Sequence, residues 1–79
     1  MKTRRNRRPK NVSGPRIRAA RGKMGLTQLG LSRTLKAKGV DCDRAGIAKI
    51  ETGRRHVLDY ELAGFADALC VPVATLLGR

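Results

Sequence analysis

The sequence has no tryptophan, one phenylalanine and one tyrosine. That scarcity argues against a single-strand binder that stacks bases on aromatic platforms. Its two cysteines, Cys42 and Cys70, stand 28 residues apart, and its one histidine, His56, fits no zinc-ligand spacing with them. No metal site and no cofactor are therefore expected. So few thiols read as a reduced, intracellular chain rather than a disulfide scaffold. A run of 18 or more apolar residues is also missing, which excludes a spanning helix. The charged N-terminus has no apolar stretch behind it and does not resemble a secretory signal. Nucleophile–base pairs, paired carboxylates and metal-ligand clusters are absent as well, so an enzyme is not expected.

The most informative absence is acidic. Residues 1–40 hold thirteen Lys/Arg and no Asp or Glu, whereas the rest of the chain is close to neutral. The net charge is +12. Solubility needs no such asymmetry; a polyanion does, and nucleic acid is the commonest one, with an anionic membrane surface as the competitor. At 79 residues the chain is one small domain. A domain of this size buries only roughly 60% of its unfolded surface, which leaves no room for a substrate cleft apart from the core.

Residues 1–12 carry six basic residues and almost nothing to bury. They read as a basic arm without fixed structure, able to lie along phosphates or enter a minor groove through Arg4, Arg5, Arg7 and Arg8. The alternative is a merely solvated tail. Residues 13–79 read as the folded domain. A first helix starts at Ser13 or Gly14, with Ser13 as N-cap and Pro15 in its first turn; Ile17, Ala20 and Met24 form its apolar stripe and Gly25 ends it. Arg16, Arg18 and Lys23 face water or phosphate, while Arg21 falls near the buried side.

Thr27 caps a second helix carrying Leu31 and Leu35, closed by Gly39. Asp43 caps a third, from Arg44 to about Glu51, with Ile47 and Ile50 inward and Arg44, Ala45, Ala48 and Lys49 outward by the 100° step. Gly53 closes it, and Arg54, Arg55 and His56 follow as a basic loop. Asp59 is read as the cap of a fourth helix, whose Leu62, Phe65, Ala66 and Leu69 recur at helical spacing. Cys70 stands where Gly or Asn is expected past its end. A short apolar helix, Val73 to Leu77, completes the chain. Five helices and no sheet are expected.

Ile17, Arg18 and Arg21, then Gly25, Leu26, Thr27 and Gln28, then Ile47, Ile50, Glu51, Gly53 and Arg55, then Leu62, Phe65, Ala66, Ala68 and Leu69 stand in an order that resembles the lambda-repressor-like, or Cro/C1-type (XRE-type), helix-turn-helix family. The resemblance covers about residues 14–77, four-fifths of the chain. It implies an all-α, five-helix DNA-binding domain. It also implies that Gln28 grips a phosphate and braces the first residue of the recognition helix. Arg44, Ala45 and Lys49 would reach base edges, and Thr52, Arg54 and Arg55 the adjoining backbone. Arg21 and Glu51 match a partly buried ion pair tying the first helix to the third. Independently, Glu51 facing DNA would repel phosphate, so an inward, paired role suits it better.

Three departures stand out. Gln28 and Glu51 are 23 residues apart, about five more than the tightest form of the motif, so either the second helix is extended or the turn is longer. Leu29 is apolar at a usually exposed polar position. Gly46 interrupts the recognition helix, for close backbone approach or mere flexibility.

The leading expectation is a sequence-specific double-stranded DNA-binding transcriptional regulator, a repressor, with Val71, Val73, Leu76 and Leu77 as candidates for a homodimer contact at least on DNA. The family implies a cytoplasmic protein of bacterial, archaeal or phage origin. The alternative is an antitoxin or phage-type adaptor whose main partner is a protein, met through Leu29 or the last helix. A third, weaker reading gives the arm an RNA-binding role.

Overall fold

A computed structural model describes residues 12–79. The arm residues Arg4, Arg5, Arg7 and Arg8 lie outside the described residues. Five helices and no strand occur among those described: α1 (Gly14–Lys23), α2 (Gln28–Ala37), α3 (Arg44–Glu51), α4 (Asp59–Leu69) and α5 (Val73–Leu76). The all-α expectation holds.

Each helix forms where the sequence supplies a start, an inward stripe and a stop. Thr27 and Asp43 sit in extended backbone at the head of α2 and α3, and their side-chain oxygens accept from the Gly30 and Gly46 N–H at 2.9 and 2.7 Å. Such caps satisfy an otherwise orphaned helix donor. All five helices close with the same pair of reversed bonds: Leu26 N–H to Arg21 O, Val40 to Leu35, Arg54 to Lys49, Val71 to Ala66 and Arg79 to Ala74, at 2.8–3.1 Å. This closure requires a left-handed residue. Glycine fills it four times, and Cys70 (φ 58°) fills it at the end of α4, at a conformational cost of about 1–2 kcal/mol.

The inward stripes meet in one core. Ile17, Leu31, Leu35, Ile47, Ile50, Phe65 and Leu76 have no exposed surface, and Leu69 almost none. Helix α3 packs against α1 and α2; α4 packs against α1, α2 and α5; and α5 returns to α1. The recognition-helix candidate is thus gripped from two sides while its Arg44–Lys49 face stays outside.

Several details depart from the sequence reading. Ser13 is buried at the head of α1 but has helical backbone (φ −84°, ψ −20°) and makes no side-chain cap bond. A capping side chain needs the extended conformation that folds it back over the first turn. Met24 is 45% exposed, because the helix stops at Lys23 and Leu26, past the turn, takes the inward place. Asp59 is the first residue of α4 rather than its cap; Leu58 precedes the helix, and the Glu61 carboxylate accepts the Leu58 N–H at 3.0 Å. The last helix is a single turn ending at Leu76. Leu76 itself is core, so it offers no surface to a second copy, while Val71 is half-buried and Val73 and Leu77 remain exposed.

The extra residues of the motif resolve into a longer turn. Helix α2 has 10 residues, and the connection to α3 spans residues 38–43 rather than the usual three or four. Its Val40 and Cys42 are buried. Val40 lies so close to the backbone of Gly64 on α4 that any β-carbon there would collide with its methyl group. The connection is therefore packed into the core and not looped away from it.

Candidate nucleic-acid interface

The outward face of α3 begins at its first residue. Arg44 and Ala45 are exposed, Ala48 is half-buried and Lys49, one turn on, is exposed. Arginine at a helix N-terminus is opposed by the macrodipole. No acid in the first turn relieves it, although the Asp43 carboxylate lies just before. The local sequence thus gives up some helix stability to hold an exposed guanidinium at the start of α3. Gly46 has a packing reason, not a flexible one. A β-carbon there would sit 3.1 Å from both Asp43 Oδ1 and Cys42 Sγ. Alanine at this position would push on the cap and on the buried thiol at once.

The far end of α3 is held by an ion pair. Arg21 Nε and Nη2 donate to Glu51 Oε2 and Oε1 at 2.6 and 3.0 Å, and Arg21 Nη1 donates to the Leu26 carbonyl at 2.9 Å. The Glu51 side chain is 3% exposed. Its hydrogen bond raises the Arg21 pKa, against the opposing effect of burial. A carboxylate at a helix C-terminus is also opposed by the dipole, and the Arg21 cation offsets that. Gln28 Nε2 adds a third donor to Glu51 at 3.1 Å. The glutamine brace therefore exists, but it supports the last residue of α3 and not the first. Glu51 is accordingly turned inward and takes no part in the exposed face of α3.

A second clamp follows immediately. The sequence places Arg55 with the candidate DNA-backbone contacts, and its guanidinium donates to both oxygens of Glu61 at 3.2 and 2.8 Å and to the His56 carbonyl at 3.0 Å. Glu61 is 2% exposed. Burial pushes its carboxyl up, but the Arg55 bonds, the Leu58 N–H and the Arg55 charge outweigh this and leave the pKa below the ordinary glutamate value. The Glu61 bond in turn raises the pKa of Arg55. Spacing alone does not reveal the pair, although one signal is present: Glu61 lies on the inward stripe with Phe65 and Ala68, where an acid needs a cationic partner.

Lys49, Arg54, Arg55, His56 and Leu58 line an open depression of about 540 Å³. Arg54 is exposed. The Thr52 hydroxyl reaches back to the Ala48 and Lys49 carbonyls at 2.9 and 3.2 Å, ending the helix while remaining at the surface. The structure thus gathers Arg44, Ala45, Lys49, Thr52 and Arg54 on one cationic side, with Arg55 turned onto Glu61. Among the described residues no cluster of metal-ligating side chains occurs, and no helix is long and apolar enough to cross a membrane. Cys42 and Cys70 are both free thiols. Burial raises the Cys42 pKa, with Arg55 pulling the other way.

No family model and no curated protein matches the chain. Among solved structures it is similar to the DNA-binding domain of BldD, with 32% sequence identity over 87% of this chain and 93% of that one, at a TM-score of 0.70. Identity and coverage at that level establish common membership: the chain belongs to the helix-turn-helix family of which the BldD DNA-binding domain is a member.

Proposed function

We propose that this protein is a sequence-specific double-stranded DNA-binding regulator of transcription, acting as a repressor. The observation that carries the reading is the exposed, acid-free face of α3, buttressed behind by two buried carboxylates and presented by a domain related to a DNA-binding one. In this reading α3 enters the major groove. Arg44 makes paired bonds to guanine O6 and N7, Ala45 touches a thymine methyl or allows close approach, and Lys49 reaches a base or phosphate. Arg54, Thr52 and the free N–H of the Gln28 amide meet the backbone. Residues 1–12 add phosphate or minor-groove contacts. Exposed Val73 and Leu77 serve a two-fold dimer, formed on DNA, on half-sites about 34 Å apart.

The test is selection from random duplex DNA followed by salt titration. The wild-type protein should enrich one sequence class. Arg44→Ala should relax the preference at one position, by about 1–3 kcal/mol. Arg54→Ala should leave the preference alone and lower the log–log salt slope by about 0.9. If no duplex competes better than random DNA, the regulator reading fails.

A further inference from the structure

On the side of the domain formed by α1, α4 and α5, a groove of about 260 Å³ has an apolar floor. Ala19, Ala20, Met24, Leu69, Val71 and the polar Thr75 line it together with the cations Arg16 and Lys23, and no residue of α2 or α3 contributes. Arg16, Ala19 and Lys23 follow one another at i, i+3 and i+7 and so share a face of α1. Small alanines open the groove between two cations about two helical turns apart, roughly 10 Å along the axis. Arg16 is positioned: its guanidinium lies over the backbone of Gly78, where a β-carbon would come within 2.7 Å of it. Met24, 45% exposed, borders the groove with a flexible, polarizable side chain of the kind that accommodates varied apolar partners. Among the described residues neither Arg16 nor Lys23 carries an ion pair.

We infer that this groove docks an acidic amphipathic helical segment of a different protein. The occupant seats an apolar side chain on the floor and sets carboxylates one turn to either side, on Arg16 and Lys23. The charges select it. Residues 1–11 of this chain contain six Lys/Arg and no acid, so they repel the rim. A second copy brings net charge +12 and keeps two of its six acids, Glu51 and Glu61, buried in ion pairs. Phosphates match the rim but not the hydrocarbon floor. An acidic helix with apolar anchors at i+3 and i+4 satisfies both. The inference stands apart from the DNA-binding reading, because none of the α3 face takes part.

The probe is a capped helical peptide with Glu at positions i and i+7 and Leu at i+3 and i+4, titrated into the full chain and followed by amide NMR. Saturable shifts confined to Ala19, Ala20, Met24, Leu69, Val71 and Thr75 are expected. Affinity should fall about tenfold or more in Arg16→Glu/Lys23→Glu, with melting unchanged. Should that variant not fold, the same peptide with Lys replacing Glu must bind wild type at least tenfold more weakly. Absence of saturable shifts overturns the proposal. So does equal binding of the charge-reversed peptide, or competition by duplex DNA with shifts at Arg44 and Lys49. Self-association of the protein alone that Lys23→Glu abolishes would assign the groove to a second copy and overturn it as well.

Discussion

The two buried glutamates of this domain do similar chemistry in unlike places. Glu51 accepts from Arg21 across 30 residues of sequence and locks α3 to α1, with Gln28 of α2 as a further donor. Glu61 accepts from Arg55 only six residues away and shapes the loop between α3 and α4, with the Leu58 N–H as its further donor. The Arg21 side chain is 17% exposed and that of Arg55 33%. The first pair is an architectural tie, deep enough that its loss strands a charge. The second is a local brace near water. A buried ion pair is weak evidence for net stability, but breaking one by removing a single partner is costly. The cost should scale with how dry the surviving charge is left.

Arg21→Ala leaves Glu51 with only a neutral amide and should destabilise the domain by about 3–5 kcal/mol. For a domain whose total stability is of order 5–15 kcal/mol, thermal denaturation should show a melting temperature lowered by roughly 12–40 °C. An unchanged melting temperature would show that the tie is ornamental.

Arg55→Ala should cost less, about 1–3 kcal/mol, since water can reach the vacated side of Glu61. It also separates two roles. A brace lowers the melting temperature and leaves the salt slope of DNA binding nearly untouched; a phosphate contact does the reverse. Calorimetry beside a salt titration decides between them.

The Glu61 pKa is depressed in the folded protein, so its contribution to stability is fully present above the ordinary glutamate value, about 4.3, and is lost as pH falls through the lower folded value. Glu61→Gln should therefore flatten the acid limb of the stability–pH curve while lowering stability at neutral pH. An acid limb identical to wild type would mean that other carboxylates carry it. The smallest effect belongs to Gln28→Ala. With Arg21 still in place, removal of the third donor should cost about 0.5–1.5 kcal/mol in a denaturant titration.

How far the sequence could be read follows the same division. Helical periodicity identified Ile17, Leu31, Leu35, Ile47, Ile50, Phe65 and Leu69 as core, since a spacing of three or four fixes which way a side chain points once a helix exists. Thr27 and Asp43 were legible because a cap acts on its own next three residues. Arg21 and Glu51 emerged through family resemblance and through the oddity of an acid on a basic face. Arg55 and Glu61 did not, because one partner lies in a loop whose path no periodicity sets. The burial of Val40 against Gly64 escaped for the same reason: a turn of residues 38–43 reads as polar punctuation until α4 is placed beneath it. Ser13, Met24 and Asp59 were misplaced at helix ends, where a shift of one residue moves a side chain from cap to surface or from core to solvent.

The packed turn bears on modularity. Residues 26–53 look like a cassette that could be cut out and fitted to another scaffold, or exchanged between relatives to change what is recognised. They are not self-contained. The spacing of the two helices is gauged by a contact made on α4, and the final residue of the second is fastened by an arginine that precedes the cassette. A transplant that carried the exposed face of α3 but left behind Arg21 and Gly64 would lack the frame that holds that face level. A chimera exchanging only the outward residues of α3 should keep its fold, whereas one exchanging the whole of 26–53 should need both anchors restored.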